Sequence, residues 1–170
     1  MSSDLVKKAI RGNKKAFEKL ILLEKNKLYR MAYLYVKNEN DALDIVQETI
    51  YKAYLGIKNV KETGYFSTWL TRILINTAID FIRKNQNLIQ FEDLERIPIQ
   101  DQYLLEESMD LLDAVTNLEE RYKTVILLRY YNDFSLKEIA NMLDCPEGTV
   151  KSNLHRAINH LKSVLKRECI

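Results

Sequence analysis

Three sets of polar side chains in this 170-residue chain are spaced so that each falls along one face of a helix. The first is Asp41, Asp44, Gln47 and Glu48, where steps of three and four residues stack carboxylates and an amide into a ridge. The second is Arg72, Asn76, Asp80 and Arg83, with Lys84 beside it and Trp69 one turn earlier. The third is Thr149, Lys151, Ser152, His155 and Arg156. Three chemistries compete for these sets: a carboxylate metal site, acid–base hydrolysis, and recognition of a charged polymer. Metal binding at the first set lacks a histidine and a second acidic helix close in sequence. Hydrolysis lacks a nucleophile with a base in reach, since His155 and His160 project to different helix faces. No catalytic group, metal ligand, cofactor or small-molecule substrate is therefore expected. Recognition remains: an acidic ridge suits a basic partner, and the two cationic faces suit phosphates.

The third set needs a scaffold, and Ser135 to Leu161 supplies one. Ser135 with Glu138 three residues later forms a capping box at a helix start. Ile139, Ala140, Met142 and Leu143 give that helix an apolar face. Asp144-Cys145-Pro146 breaks it, and Pro146 suits the first turn of the next helix, where a missing N–H costs nothing. There Val150, Leu154, Ala157, Ile158 and Leu161 recur at helical spacing, opposite Lys151, Ser152, His155, Arg156 and Asn159. This is a helix-turn-helix whose second helix fits a DNA major groove. Gly148 to Arg167 holds five Lys/Arg and no acid, as a phosphate-facing element requires.

The second set lies in Tyr65 to Lys84, the densest aromatic-apolar stretch. Phe66, Trp69, Leu70, Ile73, Thr77 and Phe81 are expected to face the core. Cations beside aromatics and a flanking loop, Asn59 to Gly64, are the parts a single-strand reader uses. The ridge lies on a helix spanning Asp41 to Lys58, capped by Asn40 or Asp41. Its inward face is expected to be Ala42, Ile45, Val46, Ile50, Ala53 and Tyr54. Upstream, Leu5 to Val36 reads as a helix or a helix pair, with Gly12-Asn13 as the place of a break.

Four glycines, two prolines and 46% apolar residues point to an all-helical globular chain. The net charge of +2 conceals blocks. Leu5 to Lys37 carries ten Lys/Arg against two acids, and Glu92 to Glu120 carries ten acids against Arg96 alone. A basic, acidic, basic order suits contact with more than one kind of surface. Asn87 to Ser108, acidic and containing Pro98, reads as a linker. Short helices at Met109 to Leu118 and Glu119 to Asn132 follow, with Tyr122, Val125, Ile126 and Leu128 packed on the helix-turn-helix. Cys145 and Cys169 are too few for a disulfide scaffold, and Cys145 is expected to be buried and inert. No signal-peptide pattern is present, and Arg72 and Asp80 interrupt the most apolar stretch, so a cytoplasmic location is expected.

Together DALDIVQETIYKAY (Asp41 to Tyr54), FSTWLTRILINTAIDFIRK (Phe66 to Lys84) and LEERYKTVILLRYYNDFSLKEIANMLDCPEGTVKSNLHRAINHLK (Leu118 to Lys162) carry a resemblance over nearly the whole chain. It resembles bacterial RNA polymerase sigma factors of the extracytoplasmic-function class within the sigma-70 family. The resemblance implies an all-α fold of two small helical domains: a region 2 bundle (1–87) and a region 4 helix-turn-helix (109–170), joined by an acidic linker (88–108). It implies that Asp41, Asp44, Gln47 and Glu48 dock on the β′ clamp helices of core RNA polymerase. Trp69, Arg72, Asn76, Arg83 and Lys84 would read the −10 element, with a base flipped into a pocket of the preceding loop and Asn76 as the direct base contact. Lys151, Ser152, His155 and Arg156 would occupy the positions that read the −35 element, with Thr149 on a phosphate near the helix start. A groove at Tyr122, Val125 and Leu128 would receive the β flap, and the linker would mimic RNA charge. An anti-sigma protein, membrane-anchored in many cases, would hold the factor inactive.

Many such factors carry Gly where Asp144 stands and Pro where Glu119 stands, and are more basic at Asn153 and His155. Two other readings of the residues remain open. A stand-alone helix-turn-helix regulator leaves the Asp41–Glu48 ridge without a task. A carboxylate-metal hydrolase lacks its second cluster.

Overall fold

The computed structural model describes residues 2–89 and 106–168, with side chains described for 3–85 and 111–165. Every regular element among the described residues is helical. The chain divides into two compact units, Met1–Asn85 and Gln86–Ile170.

In the first unit, α1 (Ser2–Ile10) and α2 (Lys14–Val36) pack side by side. Gly12, at φ +90°, makes the turn between them in a backbone region that suits glycine. Asn13 then caps α2, its side chain accepting from Ala16 N at 3.0 Å. α2 lies against α3 (Glu39–Gly56). The α3 cap is Asn38, not Asn40 or Asp41: Asn38 Oδ1 accepts from Asp41 N at 3.0 Å. Two residues more of helix follow from that choice. α3 also stops at Gly56, short of Lys58, and 3-10 turns at Ile57–Asn59 and Thr63–Tyr65 occupy the expected loop. α1 packs on both turns, and Ser3 Oγ meets Thr63 Oγ1 at 2.8 Å.

α4 (Phe66–Ile89) passes the expected boundary at residue 87. Phe66, Leu70 and Thr77 are buried as expected, but Leu74, Ile75 and Ala78 complete the core, while Trp69, Ile73 and Phe81 are half-buried. A helix between several neighbours buries a wider stripe than one-sided spacing suggests. The inward face of α3 needs a similar correction. Thr49 is buried and Tyr54 exposed, with the Tyr54 ring standing edge-on to Phe17 at 5.4 Å. Thr49 is admitted because its hydroxyl donates to Ile45 O at 2.7 Å.

The first helix lying wholly in the second unit is α5 (Glu106–Thr116), which starts inside the stretch read as linker. The rest of that stretch, 90–105, lies outside the described residues, as does Cys169. α6 (Glu120–Ile126) follows Glu119, whose φ of −53° is a value that proline would fix. It continues without a break into a π-helical turn, Leu127–Tyr131, with Asn132 N donating to Leu127 O at 3.1 Å. α7 (Leu136–Leu143) and α8 (Glu147–Glu168) close the unit over Val125, Leu128, Ile139, Val150 and Ala157, each at most 1% exposed. Val125 and Leu128 therefore belong to the core and offer no groove to a partner. The exposed large apolar side chains described in this unit are Leu111, Tyr130 and Tyr131.

Candidate functional site

The helix-turn-helix is fixed from its capping box outward. Ser135 Oγ accepts from Glu138 N at 3.2 Å, and Glu138 Oε2 accepts from Ser135 N at 2.8 Å and from Ser135 Oγ at 2.7 Å. These bonds favour the charged carboxylate, so Glu138 is held below its ordinary pKa, first by the hydroxyl and then by the amide. At the other end of α7, Asp144 takes the left-handed conformation (φ 52°, ψ 50°), and its N–H and that of Cys145 both bond to Ala140 O. Asp tolerates this backbone, though less readily than Gly. Cys145 is half-buried rather than buried. Pro146 stands just before α8, its carbonyl accepting from Thr149 N at 2.9 Å.

This turn aims α8 so that Thr149, Lys151, Ser152, His155 and Arg156 are all exposed, while Val150, Ala157 and Leu161 pack inward. Lys151 pairs with Glu147 at 3.2 Å, an exposed i,i+4 contact weak enough to exchange for a phosphate. His155 Nε2 and Asn159 Nδ2 lie 2.9 Å apart on the same face.

In the first unit, α3 buries Ala42, Ile45, Val46 and Thr49 and turns Asp44, Gln47 and Glu48 outward. Asp41, at the first turn, is half-buried, and its carboxyl is raised above the ordinary value by burial and then by Asp44. The ridge continues as Tyr51 and Leu55, both more than 60% exposed. Leu55 carries no chemical signal in the sequence; only its step of four residues from Tyr51 places it there. On α4, Arg72, Asn76, Asp80, Arg83 and Lys84 are exposed. Trp69 is half-buried behind them, its ring 6.0 Å from that of Phe66 and close to Gly56, where an added Cβ would stand 3.2 Å from Trp69 Cζ2. Lys52 is the residue that the spacing argument missed: its ammonium lies 3.3 Å from Glu48 Oε1 and 3.3 Å from Thr77 Oγ1. An acid followed four residues later by a lysine was the available signal. No group of three or more His, Cys, Asp and Glu among the described residues could hold a metal ion. No helix among them is long and apolar enough to cross a membrane.

A helix-turn-helix with a cationic outer face, carried with a second helical unit bearing an acidic ridge, marks the class of DNA-binding transcription proteins. The description of sigma-70 region 2 matches residues 20–88, and that of sigma-70 region 4 matches residues 108–161. The chain is 41% identical over 149 residues to the RNA polymerase sigma factor SigV of Bacillus subtilis, with 85% of this chain and 87% of that protein covered. It is 32% identical over 177 residues to the ECF RNA polymerase sigma factor SigW of the same organism, with 95% of each covered. A solved complex of the sigma factor RpoE with the anti-sigma factor NepR from Bartonella quintana has a TM-score of 0.76 at 29% identity, over 89% of this chain and 98% of that one. The chain belongs to the extracytoplasmic-function sigma factors of the sigma-70 family. Its function is to bind core RNA polymerase and direct promoter-specific initiation.

Proposed function

We propose that the work of this sigma factor is divided among the three faces described above. Asp41, Asp44, Gln47 and Glu48 on α3 dock on the basic clamp helices of the polymerase β′ subunit. Arg72, Asn76, Arg83 and Lys84 on α4, backed by Trp69, read the −10 element. Asn76 contacts a flipped base and the cations track phosphates. Flipping costs a few kcal/mol, which stacking and hydrogen bonds in the pocket must offset. Thr149, Lys151, Ser152, His155 and Arg156 on α8 enter the −35 major groove. The domains divide the labour at 1–87 and 109–170, with 88–108 between them. A β flap contact in the second unit would use Leu111, Tyr130 or Tyr131, because Val125 and Leu128 are closed off.

The observation that carries this reading is the α3 ridge, three polar side chains turned outward from a helix that buries Ala42, Ile45, Val46, Thr49 and Ala53. A stand-alone regulator has no use for it. The protein acts in the cytoplasm, without a catalytic site of its own. An anti-sigma protein covers its polymerase-binding faces until a signal releases it; the complex formed by the RpoE relative supports this assignment. The test is to mix the chain with sigma-free core polymerase and a promoter library, then sequence transcript 5′ ends. Initiation at a defined promoter set is expected. Binding to symmetric sites without polymerase would refute the reading.

A further inference from the structure

Lys52 touches two elements with one charge. It stands one turn beyond Glu48 on α3, with its ammonium 3.3 Å from Glu48 Oε1, and it donates to Thr77 Oγ1 on α4 at 3.3 Å. Thr77 is 4% exposed, whereas its chain neighbour Asn76 faces solvent. The Glu48 carboxylate is half-exposed, as is the lysine, so their pair is weak and open to competition.

We propose that Lys52 is a positioning residue that couples polymerase docking to promoter reading. This rests on the assignment of the α3 ridge to polymerase. In the free chain the ammonium is shared between Glu48 and Thr77. A cation from the docking partner cannot take Glu48 without approaching Lys52 as a like charge, and the repulsion grows as the interface excludes water. The ammonium then leaves Glu48 and keeps its bond to Thr77 Oγ1, which the core holds still. The tie between α3 and α4 beside Asn76, already made in the free chain, is thereby kept without competition from Glu48 when polymerase is engaged. The internal pair lowers docking affinity slightly, and the retained bond steadies the reading helix.

The experiment measures association with core polymerase and, separately, opening of the −10 element by holoenzyme at saturating core. Lys52→Met keeps most of the aliphatic stem and removes the charge. It is expected to tighten core association about twofold at low salt and to weaken −10 opening about threefold. Opposite signs are the signature, since simple damage to the fold lowers both. Lys52→Arg should restore both values. Thr77→Val, of similar shape, should weaken opening alone. Parallel losses in Lys52→Met, no change in either readout, or failure of the arginine to rescue would overturn the coupling. Asp44→Asn, measured alongside, separates the two levels of the argument. If it does not weaken core association, the docking assignment fails and takes the coupling with it. If it does while Lys52→Met is silent, only the coupling fails.

Discussion

Replacing Ser135 by alanine removes the hydroxyl that accepts from Glu138 N and donates to Glu138 Oε2. α7 is only eight residues long, too short to persist without its cap and its packing. Losing such a cap costs about 1 kcal/mol, within a range of about 0.5–2. In a unit the size of Gln86–Ile170, that lowers the melting temperature by roughly 4–8 °C. It also speeds amide exchange in α7 about fivefold, where 1.4 kcal/mol is tenfold. The pH dependence follows from the Glu138 carboxyl, whose pKa is lowered in the folded chain. Its contribution is present above the ordinary glutamate range and is lost as pH falls through the lowered folded value. The gap between Ser135→Ala and the unaltered chain should therefore narrow on acidification. Hydrogen exchange of α7 amides, followed from neutral to acid pH, is the assay. Unchanged exchange at neutral pH, or a gap that widens in acid, refutes the reasoning.

Asp44→Asn with Glu48→Gln should weaken core-polymerase association, steeply at low salt and less at high salt, because exposed charges are screened; a salt titration of binding checks this. Arg156→Ala should cost about 1–3 kcal/mol at particular −35 sequences if Arg156 makes a bidentate base contact, which a selection over randomised −35 sites measures. Lys151→Ala should relax discrimination at particular −35 bases if the ammonium contacts a base edge, and should weaken all promoters alike with a salt slope reduced by about 0.9 if it contacts a phosphate; affinity against salt concentration on several −35 sequences separates the two. Leu128→Ala, at a side chain with no exposed surface, should destabilise the second unit by about 2–5 kcal/mol in urea unfolding, by leaving a cavity beneath α7 and α8.

Local chemistry was legible in the chain, and tertiary packing was less so. The Ser135–Glu138 box, the Gly12-Asn13 break and the helix break at Asp144-Cys145-Pro146 each depend on a few adjacent residues, and the structure has all three. The exposed rows on α3, α4 and α8 follow from helical spacing alone. The burial of Leu74, Ile75 and Ala78 depends on what surrounds α4, which no local pattern encodes. Asn40 and Asp41 are capping types as good as Asn38, and only the turn at Lys37, φ 53°, selects the earlier residue. Tyr54 falls on the inward spacing and is largely apolar, yet resting on Phe17 meets that need while the residue stays at the surface. The Lys52 bridge joins residues 25 positions apart, beyond any helical period.

The widened turn at Leu127–Tyr131 has a geometric consequence for aim. A π turn closes its hydrogen bond over five residues where an α turn uses four, so one residue more is taken up before the winding ends. The chain leaves the helix at Asn132 with that residue already accommodated, and Ser135 then starts α7. Deleting one residue from 127–131 would let the turn close as an α turn, whereas inserting one would shift the exit by about 100° around the helix axis and re-aim the segment that follows.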